Sequence, residues 1–405
     1  MNKNLAQLIA RIVGFKAISF NGHHIFLLKV PMVYIPYSTL AKCQHDLIEK
    51  YGFDDVYSIF TGLGKIHGYN GTSIYIKKYK IVPSESDIDF FFEQAKLVGL
   101  GNMKRGSVDM KEKYGVIQYY NSPGAIEYKK RYGIQEYPVD FYQLGLVAGS
   151  ACAFFDDYEL IGIEKECLGK GDSKCTIEIK SRDKWKEDKD FAKLIPKKNE
   201  YVEKIKSIET LHALLQPVQT TSEVESQLLR YLRQKYRGEV YNLTEEGIKL
   251  FKLVGMITPI EILSLLAYTT IKQFGSGAAQ VFYDVGVDEG REAIENLKGA
   301  VTFNPKSAND VANALDVIGL YGFGRTSVLR ADLRNNNLIV KVTENFLAKK
   351  YYSYFGTQKI NVDHYLAGIL AGIASSIFGC EMECEERECV VQGKEACTFE
   401  LRKKK

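Results

Sequence analysis

Residues 145–179 read GLVAGSACAFFDDYELIGIEKECLGKGDSKCTIEI, and residues 368–401 read GILAGIASSIFGCEMECEERECVVQGKEACTFEL. Each stretch begins with small and apolar residues in a pattern typical of a buried helix, and ends with two cysteines separated by seven residues. A glutamate precedes the first cysteine by three positions in both stretches. The repetition indicates an internal duplication, which has to be recognised before any single motif is interpreted.

The duplication extends over most of the chain at a nearly constant spacing. Besides the cysteine segments, three pairs of segments align: PYSTLAKCQHDLIEKYG (36–52) with PIEILSLLAYTTIKQFG (259–275), LVGLGNMKRGSV (97–108) with VIGLYGFGRTSV (317–328), and VDFYQLGLVAGSACAFF (139–155) with VDHYLAGILAGIASSIF (362–378). The offset is 223 in the first and third pairs and 220 in the second, which places Arg105 over Arg325. Chance similarity between unrelated helices would not hold register in this way.

The ends of the aligned segments predict the domain organisation. We expect a first copy at 15–180, a polar, Lys-rich and helical connector at 181–238, and a second copy at 239–402. Within each copy, the patterns predict two helices, a β-hairpin, a small-residue helix and a closing two-stranded ribbon. The predicted class is α+β, with an antiparallel sheet packed on helices and the whole unit duplicated in tandem.

The glutamate and the two cysteines of each copy are residue types that bind metal ions. A glycine between the cysteines allows the tight turn that brings both thiolates to one side of the ribbon. A tetrahedral zinc site needs a fourth ligand, and an aspartate recurs before the small-residue helix of both copies. The predicted ligands are Asp140, Glu164, Cys167 and Cys175 in the first copy, and Asp363, Glu386, Cys389 and Cys397 in the second.

Other residues compete for the fourth position. Cys152 is the rival in the first copy, and Cys384, Cys380 and His364 are the rivals in the second. A mixed carboxylate and thiolate shell suits zinc better than magnesium or calcium, although ligand type alone does not exclude iron. Four protein ligands leave no open position for water, so a structural role is expected. The plainer alternative is that the cysteines are inert buried side chains.

The two quoted stretches resemble the 4-vinyl reductase domain family, a small-molecule-binding family that also provides the aromatic-sensing regions of bacterial phenol- and xylene-responsive activators. The resemblance implies a fold shared with TRAPP trafficking subunits and an apolar pocket for an aromatic or hydrocarbon-like ligand. It also implies zinc ligation by the glutamate and both ribbon cysteines of each copy. Asp140 and Asp363 depart from the pattern, because the sensor members have a cysteine there.

The composition narrows the functional classes. With 54 basic and 50 acidic side chains, the net charge of +4 gives no general case for nucleic-acid binding. No apolar run is long enough to span a membrane, and no leader peptide is recognised. Six of the eight cysteines crowd into two short segments, which indicates metal ligation in a reducing compartment. A self-sufficient reductase is disfavoured, because neither a dinucleotide fingerprint nor a Ser/His/Asp or Cys/His constellation is found.

The sequence therefore predicts a cytoplasmic binding or sensor protein for an apolar small molecule, with two zinc-stapled domains. The copies are expected to pair as an internal pseudo-dimer, and pairing of whole chains is left open. A protein partner would have to supply the output of a sensor. One alternative is an accessory subunit or enzyme of tetrapyrrole or hydrocarbon metabolism, and another is a TRAPP-like interaction scaffold.

Overall fold

The computed structural model describes residues 18–21, 23–27, 30–206, 232, 241–244 and 247–405. Much of the predicted connector lies outside the described residues, and its described part contains two short helices, Arg182–Lys186 and Glu200–Lys206. Within the described ranges, no helix has both the length and the apolar character needed to cross a bilayer.

Within the described residues, the first copy has seven strands and five α-helices before the connector. The strands are β1 Ile18–Asn21, β2 His24–Leu27, β3 Val30–Pro36, β4 Met103–Asp109, β5 Tyr114–Tyr119, β6 Leu160–Glu166 and β7 Cys175–Ser181. The helices are α1 Tyr37–Tyr51, α2 Phe53–Tyr79, α3 Glu85–Leu97, α4 Pro123–Tyr132 and α5 Phe141–Phe154. The two connector helices are numbered α6 and α7.

The described part of the second copy repeats this order with one additional short helix before the hairpin. Its strands are β8 Tyr241–Thr244, β9 Gly247–Leu250, β10 Leu253–Pro259, β11 Arg325–Asp332, β12 Asn337–Thr343, β13 Met382–Glu388 and β14 Cys397–Lys403. Its helices are α8 Glu261–Phe274, α9 Ser276–Leu297, α10 Ala308–Leu315, α11 Val317–Tyr321, α12 Phe346–Phe355 and α13 His364–Phe378. A single 3₁₀ turn joins the two ribbon strands in each copy.

Each copy has its own four-stranded antiparallel sheet, with strand order β4-β5-β7-β6 in the first and β11-β12-β14-β13 in the second. The hairpin and the cysteine ribbon, which the sequence predicted separately, are hydrogen-bonded into this one sheet. The small-residue helices α5 and α13 pack against the sheets. The predicted α+β class, with antiparallel sheets packed on helices, is confirmed.

A third sheet joins the copies and was not predicted. Its order is β1-β2-β3-β10-β9-β8, so two three-stranded meanders meet where β3 pairs with β10. All seven residues of β3 are buried, which removes the alternation of apolar and polar residues that marks a strand in a sequence. Each meander also lies against the other copy: the backbone N–H of Ile257 donates to the carbonyl of Val98 at 2.9 Å, and α11 packs on β2 and β3.

In each copy, two helices cross closely because each of them carries two glycines at the crossing. A Cβ atom on Gly64 or Gly68 of α2 would overlap the backbone of α5, and one on Gly145 or Gly149 would overlap the backbone of α2. The second copy has the same arrangement, with Gly286 and Gly290 of α9 facing Gly368 and Gly372 of α13. The sequence pattern identified α5 and α13 as small-residue helices. Their partners on α2 and α9 complete the contact.

The structure corrects one part of the internal alignment. Gly99 and Gly322 have φ angles of +94° and +92°, and both approach a backbone carbonyl of the opposite meander. They are therefore equivalent, and the offset stays at 223 instead of falling to 220. The predicted match of Arg105 with Arg325 was wrong by three residues. The required backbone conformation, rather than similarity of neighbouring letters, decides which glycines correspond.

Replacing Gly68 by alanine should lower the free energy of unfolding by about 1–3 kcal/mol, because the added methyl group overpacks the α2–α5 crossing. Gly71 lies on the same helix with no atom within 4 Å of an added Cβ, so Gly71→Ala should be neutral or stabilise by up to about 1 kcal/mol. Urea unfolding of both variants measures the difference. Equal midpoints would contradict the close crossing.

Candidate metal centres and apolar cavity

The second copy brings all four of its predicted ligands together. The ligand atoms of Asp363, Glu386, Cys389 and Cys397 lie within 4.8 Å of one another, and all four residues are buried. Asp363 immediately precedes α13, whereas the other three belong to the ribbon. The cluster thus connects the start of the small-residue helix with both strands of the ribbon.

A β-bulge lets two ribbon residues share one face. Glu386 points inward on β13, in step with the buried residues Met382 and Cys384. Cys389 is an odd number of positions further on and would face outward on a regular strand. The register shifts between Glu386 and Glu388, and the extra residue turns Cys389 to the inner face. The first copy has the same shift between Glu164 and Glu166.

In the second cluster, some of the carboxylate oxygens accept hydrogen bonds from protein groups and others do not. Asn345 donates to Asp363 Oδ2 at 2.5 Å and to the Cys397 sulfur at 3.4 Å. The backbone N–H groups of Val362 and Asp363 donate to Glu386 Oε2 at 3.2 and 3.3 Å. The remaining oxygens, Asp363 Oδ1 and Glu386 Oε1, are buried without a partner among the described residues. Burial raises the pKa of Asp363, and a cation among these donors would remove that penalty.

The first cluster contains three residues instead of four. The ligand atoms of Glu164, Cys167 and Cys175 lie within 4.8 Å of one another, and Glu164 Oε2 is buried without a partner in the described chain. A hydrogen bond from the Cys175 thiol lowers the pKa of Cys167 to about 6, which favours the thiolate that binds metals. Asp140, predicted as the fourth ligand, lies outside this group.

Asp140 is instead paired with a neighbouring helix cap. Its Oδ2 accepts a short hydrogen bond from the hydroxyl of Ser122, which precedes α4. Burial raises the pKa of Asp140 to about 7, so its charge is not fully developed at neutral pH. Asn345 occupies the equivalent position before α12 in the second copy. The sequence analysis missed both residues and the helices α4 and α12 that they precede, although Ser and Asn are common residue types at the start of a helix.

None of the four rival residues joins a cluster within the part of the chain that the structure describes. Cys152 is buried, and its thiol donates to the carbonyl of Leu160 at 3.5 Å. Cys384 is buried on the inner face of β13, whereas Cys380 accepts a hydrogen bond from the Asn336 amide at 3.4 Å. His364 begins α13, and its ring is not among the grouped ligand atoms.

A cavity of about 540 Å³ lies in the first copy, between α3 and the layer formed by α5 and the sheet. Phe91 and Phe92 of α3, Ile117 of β5 and Phe154 of α5 are among its many apolar lining residues. Ile257 and Pro259 of strand β10 also line it, so the second copy supplies part of the wall. The volume lies within the range of about 300–1,000 Å³ that is typical of small-molecule sites.

The helix over the cavity is placed differently in the two copies. In the first, α3 packs against β4 and against β9 of the other copy, and Leu97 is its one buried residue. In the second, α10 packs directly on α13 and β11 and buries Val311, Ala314 and Leu315. The open space in the first copy therefore results from a helix that stands away from the small-residue helix.

Comparison with solved structures gives several partial likenesses. The phenol-responsive sensory domain of the transcription activator PoxR, solved with phenol, matches with 16% identity and a TM-score of 0.41, over 48% of this chain and 98% of that domain. Trafficking protein particle complex subunit 3 from Naegleria fowleri, covalently bound to palmitic acid, matches with 15% identity and a TM-score of 0.29, over 36% and 95%. A vinyl-4-reductase family protein from Methanocaldococcus jannaschii matches with 23% identity and a TM-score of 0.26, over 36% and 83%.

Sequence comparison gives two further matches. An uncharacterized protein of Methanocaldococcus jannaschii is 25% identical over 158 residues, which are 39% of this chain and 85% of the relative. The family model of the 4-vinyl reductase domain matches residues 338–403, which include β12, the small-residue helix and the whole ribbon with its four clustered ligands. In the second copy, this segment is a match to the 4-vinyl reductase domain.

Proposed function

We propose that the protein binds an apolar small molecule in the cavity of the first copy and acts as a ligand sensor. The observation that carries the proposal is the cavity itself: about 540 Å³, lined by aromatic and aliphatic side chains from α2, α3, α5 and the sheet. The side chains that line this space expose apolar surface that a bound ligand would bury. The output would come from a partner protein that distinguishes the ligand-bound state.

The family match in the second copy supports the proposal for the first copy. Residues 338–403 match the 4-vinyl reductase domain, and the first copy repeats the same order of elements around the same small-residue helix. We therefore extend the family identity to the first copy and take 15–180 and 239–402 as two domains of this kind. Together they would form an intramolecular pseudo-dimer around the shared sheet.

We further propose that both clusters bind zinc in a structural role. Two thiols with one or two carboxylates form a donor set that zinc accepts, and the unpaired buried oxygens of the described clusters are suited to coordinating a cation. Bound zinc would cross-link the ribbon strands and, in the second copy, fasten them to the start of α13. All eight cysteines are free thiols, and thiolate ligation requires reduced cysteines, so we place the protein in the reducing cytoplasm.

The two copies differ in ways that suit ligand binding in the first copy and structural metal binding in the second. The second groups four candidate ligands and has a tightly packed α10, whereas the first groups three and has an open space beneath α3. A ligand-binding cavity requires open space between side chains, whereas a copy cross-linked by four metal ligands requires close packing. Duplication within one chain allows each demand to be met by a different copy, while the shared sheet keeps them in contact.

An apolar ligand should raise the melting temperature of the purified protein, because it binds the folded state alone. At a concentration 100 times its Kd, the stabilisation is about 2.7 kcal/mol. Thermal shift assays with a panel of aromatic and lipid-like compounds make the measurement. Ala151→Leu, which fills the cavity, should reduce the shift, and Ala153→Leu on the same helix but outside the lining is the control.

Two outcomes of this assay would contradict the sensor proposal. If no apolar compound shifts the wild-type protein, the cavity is not a ligand site. If the protein chemically converts a bound compound, with or without a nicotinamide cofactor, the enzyme alternative takes its place.

The purified protein should contain about two zinc ions per chain, since both clusters supply thiolates. Cys397→Ser should leave about one ion and lower the melting temperature, because metal binding is coupled to folding. Elemental analysis and calorimetry provide the two readings. Cys384→Ser is the matched control, as a buried thiol of the same copy outside the cluster, and an equal loss of zinc from it would place Cys384 in the metal shell of that copy.

The two zinc ions should leave at different rates when a chelator is added, with the three-residue site losing its ion first. Single-site variants assign the two phases: Cys167→Ser should remove the fast phase and Cys397→Ser the slow one. Asp363→Asn should accelerate the slow phase by about tenfold or more, whereas Asp140→Asn should change the fast phase little, because Asp140 lies outside the three-residue cluster. Equal release rates in the wild-type protein would show that Asp140 ligates as Asp363 does.

A further inference from the structure

The wall of the cavity carries few polar groups. Of the described residues that line it, none is an acid, a lysine or an arginine. The lining residues with hydrogen-bonding side chains are His67, Thr72, Tyr75, Gln94 and Ser150. A charged group on a ligand would lose its hydration here without gaining a counter-ion, which costs several kcal/mol or more. The cavity is therefore suited to an uncharged molecule.

His67 differs from the other polar lining residues in how it is held. Its Nδ1 lies 2.6 Å from the hydroxyl of Tyr142, and that hydroxyl lies 3.1 Å from the hydroxyl of Thr258 on strand β10. The second copy thus fixes the orientation of an imidazole in the first copy. By comparison, Ser150 uses its hydroxyl within the helix pair, donating to the carbonyl of Gly68 at 3.4 Å.

The second ring nitrogen of His67 remains available. Within the described residues, no hydrogen bond engages Nε2, and His67 is a half-buried residue that lines the cavity. Burial lowers the pKa of His67 to about 4, so the imidazole is neutral at pH 7. Depending on the tautomer, Nε2 either donates or accepts, and a hydroxyl group can serve in both cases.

We propose that His67 is the residue that determines the specificity of the cavity, with Nε2 hydrogen-bonded to the hydroxyl group of an otherwise apolar, uncharged ligand. The proposal rests on the ligand-binding function proposed above and names the ligand class. At about 30 Å³ per liquid-packed group, the cavity accommodates roughly eighteen non-hydrogen atoms. A molecule larger than one aromatic ring fits this volume. Thr258 acts as a positioning residue, because it orients His67 through Tyr142.

Matched fluorescent pairs test the proposal, since a hydroxyl and a methyl group have similar size. The pairs are 1-hydroxypyrene with 1-methylpyrene, and 2-naphthol with 2-methylnaphthalene. Fluorescence titration of the full chain should give about tenfold tighter binding of the hydroxyl member, as expected for one buried hydrogen bond and its unpaired alternative. Pyrene-1-carboxylate, which carries a charge, should bind at least about tenfold more weakly than 1-hydroxypyrene.

Variants assign the preference to His67. His67→Phe should abolish the hydroxyl preference while still binding the methyl member, and His67→Gln should restore part of it. Thr258→Val should weaken the preference without abolishing it. The control is His45→Phe, because His45 also pairs with a tyrosine hydroxyl, that of Tyr128 at 3.1 Å, but does not line the cavity. Circular dichroism checks that each variant is folded.

The outcomes separate this proposal from the function on which it rests. If both members of each pair bind equally to the wild-type protein, or if His67→Phe keeps the preference, the cavity binds ligands but His67 does not select them. If no member of either pair binds to the wild-type protein, the ligand-binding function and the role of His67 are both wrong.

Discussion

Backbone contact between two helices sets the geometry of each copy. Where α2 crosses α5, glycines on both helices allow a separation that no side chain would permit, and α9 and α13 repeat the arrangement. One end of α5 begins beside Asp140 near the cysteine ribbon, and Phe154 near its other end lines the cavity. A change in the crossing would therefore move Asp140, beside the cysteine ribbon, and the wall of the cavity together. Because interiors are close-packed, such a shift is not absorbed locally.

The sequence predicts the parts of the fold that have local signatures. Apolar periodicity and terminal glycines predict helices such as α1, and alternating residues predict both hairpins. The spacing of Cys389 and Cys397 predicts the ribbon and its metal-binding character. The shared sheet escapes such reasoning, because β3 is buried on both faces and its partner β10 is distant in sequence. Apolar periodicity indicates which residues of a segment are buried, but it does not identify the strand with which the segment pairs.

The candidate site shows a similar division. Repetition of Asp140 and Asp363 at one offset predicts two equal ligands, yet only Asp363 lies within ligand distance of its cluster in the described chain. The residue that donates to each aspartate also differs, a serine hydroxyl in the first copy and an asparagine amide in the second. His67 has no counterpart histidine in the second copy, so an interpretation based on repetition gives it no weight. The role of a residue that occurs in one copy alone can be inferred once the cavity is known.

Pairing of the two meanders has to wait until the second copy has been synthesised, so the rate of translation affects folding of the first copy. The paired strands β3 and β10 are separated by about 220 residues, and a ribosome adding roughly 5–20 residues per second needs roughly 10–45 s to make the second after the first. During that interval, the nascent first copy lacks both the neighbour of a fully buried strand and one wall of its cavity. An unpaired apolar strand is a template for pairing with other chains. The half-made chain is thus the stage at which chaperone protection has the most to contribute.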